Sequence, residues 1–337
     1  SLAPDAQRLP YYRRNQEVKS TVHWGQRKLL MSELEFLTEH AKRNTHIVYA
    51  GAAPGEHLGS LCALFPDATF EVFDPRPFAE ELLPPTGPTN LTLHQEEFTD
   101  AHAKCIASST ENSLFISDIR TADWKTHDEA EHDARLLSDL QAQRDWVDIL
   151  RPCRAMLKFR MPYTDGSTEY LAGEIRLPVW GPQTTTECRL VVACERVGNL
   201  RTVVYDHRKL LEQLFYFNTV VRTSIYPRRC KAVHRVLLAV GLCQCFDCSR
   251  EVDIISAHLQ SRRPNMALAG VAWAKSIAAF SRELSRGCGR GPDGLLDTPP
   301  APWELPIASA SLNMKVDSGA RKRKVNDLSR EDRIAKR

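Results

Sequence analysis

The stretch His46-Ile47-Val48-Tyr49-Ala50-Gly51-Ala52-Ala53-Pro54-Gly55-Glu56-His57 decides the fold. His46 to Tyr49 is β-branched and aromatic, which predicts a short strand. Gly51 to Gly55 is a turn of small residues and proline, and a helix is expected from about Glu56 to Leu64. Ala68 to Phe73 reads as a second strand, closing on Asp74. Strand, tight turn, helix and strand is the opening unit of a parallel sheet.

The same alternation continues outward. Leu91 to His94 and Ser113 to Ser117 are predicted as strands, the latter ending at Asp118. Glu129 to Leu150 is a long helix, and Arg154 to Phe159 is a strand that carries Lys158. Tyr170 to Val179 and Glu187 to Cys194 are further strand-like runs. Upstream, residues 21–42 read as an amphipathic helix, with Leu29, Leu30, Leu34 and Leu37 at helical spacing. The prediction is an α/β protein with a doubly wound, mostly parallel, Rossmann-like sheet and helical C-terminal additions. In such sheets ligands bind outside the carboxyl ends of the strands, where Asp74 and Asp118 fall.

At 337 residues, with 42% hydrophobic and 26% charged side chains, the chain has ample length for a core and the composition of a globular domain. We expect a loose, flexible polar arm over 1–20, the folded domain over 21–285, and a Pro/Gly-rich, basic, disordered tail over 286–337. A net charge of +3 says little about partners. Two local groups are more suggestive: Arg151, Arg154, Lys158 and Arg160, and Arg222, Arg228, Arg229, Lys231 and Arg235. Each reads either as a phosphate path or as a solvated face. No apolar run approaches the roughly 20 residues that span a bilayer, and no membrane partner is expected. The chain opens on Ser1, so a preceding segment stays open. Ten cysteines, several in apolar runs, read as packed thiols and not as a disulfide framework. Cys243, Cys245, Cys248 and His258 raise zinc, but no second CxxC accompanies them, so no metal is expected.

The glycine turn asks for a ligand of its own. Small residues let a backbone approach a ligand closely, and a helix N-terminus offers free N–H groups. Asp74 follows at about the 20-residue distance of an acid that holds ribose hydroxyls. The third glycine of a dinucleotide fingerprint is missing, and proline suits a pyrophosphate loop poorly. S-adenosyl-L-methionine, a nucleoside without a phosphate, needs no such loop.

The runs Gly25-Gln26-Arg27-Lys28-Leu29-Leu30-Met31-Ser32-Glu33-Leu34-Glu35-Phe36-Leu37 and Tyr49 to His57, followed by Leu114 to Arg120, Leu157 to Tyr163 and Thr186 to Leu190, resemble the poxvirus-type mRNA cap 2′-O-methyltransferase family. That family includes a poly(A) polymerase stimulatory subunit, and trypanosomatid cap-nucleotide methyltransferases belong with it. The likeness spans roughly residues 24 to 220. It implies an S-adenosylmethionine-dependent enzyme with a catalytic set at Lys28, Asp118, Lys158 and Glu187. It implies cofactor contacts at Tyr49, Gly51, Ala53, Gly55, His57, Asp74 and Arg76, with Phe98 on the adenine side. RNA contacts would fall on Tyr163, Asp165 and Arg120.

The chemistry asks for such a set independently. A ribose 2′-OH is a weak acid, and a lysine can take its proton only when its pKa is lowered toward neutrality. Lys158, inside the apolar run Met156-Leu157-Lys158-Phe159, is the expected base, with a second lysine depressing its pKa and carboxylates orienting it. Taken singly, Lys28 reads equally as a solvated helix residue and Asp118 as a helix cap.

The family holds the cap guanine between aromatic rings. One ring falls on Tyr163, but the second falls on Thr184, which cannot stack. An upstream tyrosine corresponds to Tyr11 or Tyr12, and a further acidic contact falls near Leu211 or Glu212. The expected activity is methylation of cap-proximal ribose in mRNA or small capped RNA. The alternatives are a non-catalytic RNA-binding subunit of a capping or polyadenylation complex and a methyltransferase of uncapped RNA. Expected partners are capped RNA and other capping or polyadenylation proteins. Arg321-Lys322-Arg323-Lys324 suggests a nuclear protein.

Overall fold

The computed structural model describes residues 1–12, 25–109, 112–123, 126–182, 185–195, 198–225, 246–265 and 270–286. Its centre is a seven-stranded sheet in the order β3-β2-β1-β4-β5-β8-β7. The strands are β1 (His46–Ala50), β2 (Thr69–Phe73), β3 (Leu91–His94), β4 (Ser113–Ser117), β5 (Arg154–Phe159), β7 (Glu174–Arg176) and β8 (Cys188–Ala193). The first five are parallel; β8 runs antiparallel to β5, and β7 antiparallel to β8. The chain moves outward through β1, β2 and β3, then returns to β4 on the other side of β1 and moves outward again. The switch point is therefore the C-terminal end of β1 and β4, where an open α/β sheet leaves a crevice.

The strands are buried on both faces, as a parallel sheet requires. Ile47, Tyr49, Ile116, Met156 and Val191 pack on one face beneath α1 (Gly25–His40), α2 (Leu58–Leu64) and two C-terminal helices, α6 (Phe246–Arg262) and α7 (Gly270–Arg286). Val48, Phe115, Leu157, Phe159 and Leu190 pack on the other, beneath α4 (Glu129–Leu150) and α5 (His207–Tyr216). A further helix, α3 (Asp100–Ser109), lies against α4. Leu136, Leu140, Gln143, Val147 and Leu150 form the buried stripe of α4 at the spacing that helical periodicity demands. The Asp128 carboxylate accepts the Glu131 N–H at 2.8 Å and caps that helix.

The β3, β4, α4 and β5 boundaries are those expected from sequence. The run 170–179 is not one strand: β6 (Ser167–Leu171) leaves the main sheet to pair with β9 (Thr202–Asp206), while β7 stays in it. A π-helix, Phe217–Ile225, continues α5. Residues 1–12 are anchored and not loose. The Leu2 N–H donates to the Ile175 carbonyl on β7, and the Gln213 amide donates to the carbonyls of Pro4 and Ala6.

The first arginine group divides. Arg151 and Arg154 lie at the opposite end of β5 from Lys158 and Arg160, and Arg151 caps α4. Arg222, of the second group, is buried against Asp247, which removes it from any phosphate path. Arg228, Arg229, Lys231, Arg235, Cys243, Cys245, Thr184 and the tail from 287 lie outside the described residues. Among the described residues no cluster of three His, Cys, Asp or Glu side chains is arranged to hold a metal. No described helix is long and apolar enough to cross a membrane. Replacing Asp128 with Ala should lower the unfolding free energy by about 1 kcal/mol. An unchanged denaturation midpoint would show that the cap contributes nothing.

Candidate active site

Two backbone contacts fix the crevice. The Asp118 N–H donates to the Ala50 carbonyl at 2.9 Å, tying the ends of β1 and β4. Gly51 has φ +83°, and a Cβ there would meet the Ile119 nitrogen at 2.8 Å, so only glycine fits between them.

The four expected catalytic side chains meet here. Lys158 follows Met156 on the α1 face of β5, and its ammonium lies 3.3 Å from Asp118 Oδ2 and 3.7 Å from Glu187 Oε2. Lys28 reaches down from α1 and donates to Glu187 Oε1 at 2.9 Å. A fifth charge was not expected from sequence. Arg189, paired with Lys158 across β5 and β8, is buried between the carboxylates, 2.6 Å from Asp118 Oδ1 and 3.6 Å from Glu187 Oε1. Its signal was present, since Arg189 opens the apolar run Leu190-Val191-Val192 as Lys158 interrupts its own.

Burial lowers the Lys158 pKa from its usual range; Asp118 and Glu187 oppose that, and Arg189 and Arg120 reinforce it. The second cation that depresses Lys158 is thus Arg189 and not Lys28, which spends its charge on Glu187. Burial pushes both carboxyls upward, but Lys158 and the neighbouring cations outweigh it and hold Asp118 and Glu187 below the carboxylate range. Arg120 lies 3.6 Å from Asp139, and its terminal nitrogens are buried without a hydrogen-bond partner.

The residues expected to hold the cofactor divide into two groups. Gly51, Ala53 and Gly55 form the loop itself, with Gly55 at φ +73°. Tyr49 and His57 turn away from the crevice and rest on the buried Glu33 of α1: the tyrosine hydroxyl donates at 2.7 Å, and His57 Nε2 lies 2.9 Å away. Their place is beneath the loop, fixing it to α1. Asp74 stands at the end of β2, but its oxygens accept from the backbone N–H of Ala53 (3.0 Å) and of Arg76 (2.9 Å) and from the Arg76 guanidinium (2.8 and 3.0 Å). Four donors fill the four lone-pair positions of a carboxylate. A ribose diol needs Arg76 to swing away, and that side chain is 66% exposed. Phe98 packs among Phe73, Phe115 and Trp146 at the crevice wall. Ser117 Oγ, at the end of β4, is buried without a partner. A cradle of small residues, an anionic carboxylate and an unsatisfied hydroxyl fit a cationic nucleoside cofactor.

Tyr163 lies 5.3 Å from Tyr11, ring to ring, at 29°, and the Arg160 guanidinium sits 4.3 Å over its ring. Asp133 of α4 accepts the Tyr163 and Thr164 N–H groups at 3.0 and 3.1 Å and fixes this loop. Asp165, two residues beyond Tyr163, and Glu212 are bridged by Arg208 at 3.6 and 3.4 Å. The ring that stacks on Tyr163 is thus Tyr11, one of the two upstream tyrosines expected; Thr184 lies outside the described residues.

The doubly wound sheet, with a glycine cradle and a partly buried lysine at its switch point, is a Rossmann-like fold of the methyltransferase class. Within that class the chain belongs to the poly A polymerase regulatory subunit family, whose model matches residues 6–228, about two thirds of the sequence. It is 28% identical over 216 residues to the cap-specific mRNA (nucleoside-2′-O-)-methyltransferase of fowlpox virus, covering 60% of this chain and 68% of the viral protein. The enzyme of the same description from myxoma virus is 26% identical over 226 residues, covering 63% of this chain and 65% of its own length, just under two thirds. Among solved structures, bluetongue virus VP4, described as a multifunctional RNA-capping production line, superposes with a TM-score of 0.38 at 16% identity, covering 62% of this chain and 36% of VP4.

Replacing Arg189 with Met removes a buried cation from between two partly buried carboxylates. A loss of about 3–5 kcal/mol of stability is expected, read from urea unfolding; an unshifted midpoint would rule out a compensating role for Arg189.

Proposed function

We propose that the chain methylates the 2′-oxygen of cap-proximal ribose in capped RNA, with Lys158 as general base. The observation that supports this reading most directly is Lys158 itself: a buried lysine, depressed in pKa, between Asp118 and Glu187 at the switch point. S-adenosylmethionine, held by Gly51, Ala53, Gly55 and Asp74, supplies the methyl group when bound. The protein's part is to present a ribose hydroxyl to Lys158 Nζ and accept its proton there. Asp118 and Glu187 orient the amine, and Lys28 and Arg189 keep those carboxylates ionised and in place. Arg120, with buried and unsatisfied N–H groups beside them, suits an RNA phosphate.

Tyr11 and Tyr163 support a capped substrate. Two rings with a stacked base between them stand about 7 Å apart, twice the ~3.5 Å of a carbon contact. The 5.3 Å spacing is therefore a closed slot that the arm must open by about 2 Å. A methylated guanine carries positive charge, which suits aromatic faces and the neighbouring Asp165 and Glu212. The proposal extends to a nuclear site of action, for which the basic run Arg321 to Lys324 is the support.

The deciding experiment is methyl transfer from labelled S-adenosylmethionine to short capped and uncapped RNAs, with the product nucleotide mapped. Label on a 2′-oxygen of capped RNA alone is expected. Equal labelling of uncapped RNA would move the substrate away from the cap, and binding without transfer would favour a non-catalytic subunit. Lys158→Ala should abolish transfer and leave S-adenosylmethionine affinity within about threefold, because it removes only the proton acceptor. The wild-type rate should fall as pH drops through the Lys158 pKa, a midpoint below the ordinary lysine value of 10.5. Tyr11→Ala should raise KM for capped RNA about tenfold, the size of one stacking contact, and leave KM for uncapped RNA unchanged.

A further inference from the structure

The Lys28–Glu187 ion pair joins two segments that share no strand pairing, helix α1 and the loop leading into β8. What sets these segments against each other is α6, which lies beyond the family-matched residues 6–228. Glu251, in the middle of α6, accepts from both. The Arg27 Nε–H donates to Glu251 Oε2 at 2.8 Å, and a second Arg27 nitrogen contacts Oε1. The Trp180 indole N–H donates to the same Oε2 at 2.7 Å. Ser281 of α7 contacts Oε1 and also accepts from Arg27 at 2.7 Å. Glu251 and Arg27 are both buried, so this is a dry, fully engaged hub.

Arg27 is the residue before Lys28. Trp180 is the residue before Gly181, where a Cβ would lie 3.8 Å from Lys28 Cδ and 3.6 Å from Thr185 Cγ2. The Trp180 turn thus walls the stem of Lys28. Trp180 also has φ +57°, a conformation that a bulky side chain adopts only when its surroundings impose it. Here they do, from α6 on both sides: the Trp180 backbone N–H donates to Asp247 at 3.0 Å, and its indole to Glu251. Asp247 in turn holds Arg222, whose guanidinium donates to Asn218 at 3.3 Å. Asn218 donates to the Thr185 carbonyl at 2.9 Å, and the Glu187 N–H donates to Thr185 Oγ1 at 3.1 Å.

We propose that α6 is a brace for the candidate active site, and that Glu251 and Trp180 are positioning residues which set the Lys28–Glu187 pair against Lys158. Backbone strain at Trp180 is the cost of that alignment, held in place by Asp247 and Glu251. The inference rests on the functional reading above for its rate readout, but not for its geometric one.

Two variants test it. Trp180→Phe keeps an aromatic ring and removes the indole N–H together with the five-membered ring that carries it. Glu251→Gln keeps the shape of the hub and removes its charge; because it leaves Arg27 buried beside a neutral amide, Trp180→Phe is the primary variant. The first measurement is the titration of Lys158 by NMR of isotopically labelled lysine. The groups facing this amine are Asp118 and Glu187, which raise its pKa, and Arg189 and Arg120, which lower it. Loosening Glu187 weakens one raising influence, so the midpoint should move to lower pH in both variants. The second is turnover on capped RNA: kcat should fall about tenfold, as displacement of a catalytic group costs, with KM for capped RNA within twofold. A Lys158 midpoint and a kcat per folded molecule equal to wild type, in variants that merely melt earlier, would overturn the brace. A wild-type protein that transfers no methyl group would overturn the functional reading alone, and the lysine titration would still decide the brace.

Discussion

A lysine at the end of an apolar strand is tolerable only if something answers its charge, and in this protein the answer organises the sheet edge around it. Asp118 arrives from β4 and Glu187 from the turn before β8, one on each side of Lys158. Two carboxylates against one cation would leave excess negative charge in a dry place. Arg189 and Lys28 cancel it, one from the strand paired with β5 and one from the helix above. The result is three cations and two anions whose signs alternate in space. Loss of the Lys158 proton brings the group to neutrality, and burial favours the neutral form. A charge set assembled around a partly buried lysine therefore favours its neutral form, which is what the proposed role of Lys158 as a base requires.

The fold was legible because its signals are local. The β-branched run before Gly51, the apolar stretch ending at Asp118 and the period of α4 each specify one element without reference to the others. That Lys28, Asp118, Lys158 and Glu187 would come together was legible through the order of their motifs; nothing in a lysine on an amphipathic helix sets Lys28 apart from a surface residue. Arg189 escaped notice because its meaning depends on the register that puts it opposite Lys158. The ring beside Tyr163 was half legible, as Tyr11 or Tyr12, with nothing local to choose between them. Tyr11 is about 150 residues from Tyr163, and only the anchoring of the arm along β7 and α5 brings the rings together.

Tyr49, His57 and Asp74 show how a residue beside the glycine loop can spend its side chain on holding that loop. All three sit where the glycine loop leaves the sheet. Tyr49, however, lies on the alternation that faces α1, and so meets Glu33 instead of the crevice. His57 joins the same carboxylate from the far side of the loop, so Glu33 ties β1, the loop and α1 with one buried charge. Asp74 braces the loop through Ala53 and is covered by Arg76. The loop is thus held from below by one acid and from the side by another, and its small residues leave the backbone exposed only toward the crevice.

Helix α1 is consequently more than a cover for the sheet. In just under two turns it presents Arg27 to α6, Lys28 to Glu187 and Glu33 to the glycine loop. A rigid helix converts a displacement at any one of these contacts into a displacement at the others, since its backbone does not stretch. Glu33 and Lys28 are five residues apart, so the place where a nucleoside cofactor meets the loop and the place where Lys158 meets its carboxylates move as one body. The C-terminal helices fix that body through Glu251. Two buried ion networks, one beneath the loop and one behind Lys28, then act on a single lever, and the distance between cofactor loop and base is set by the helix that carries both.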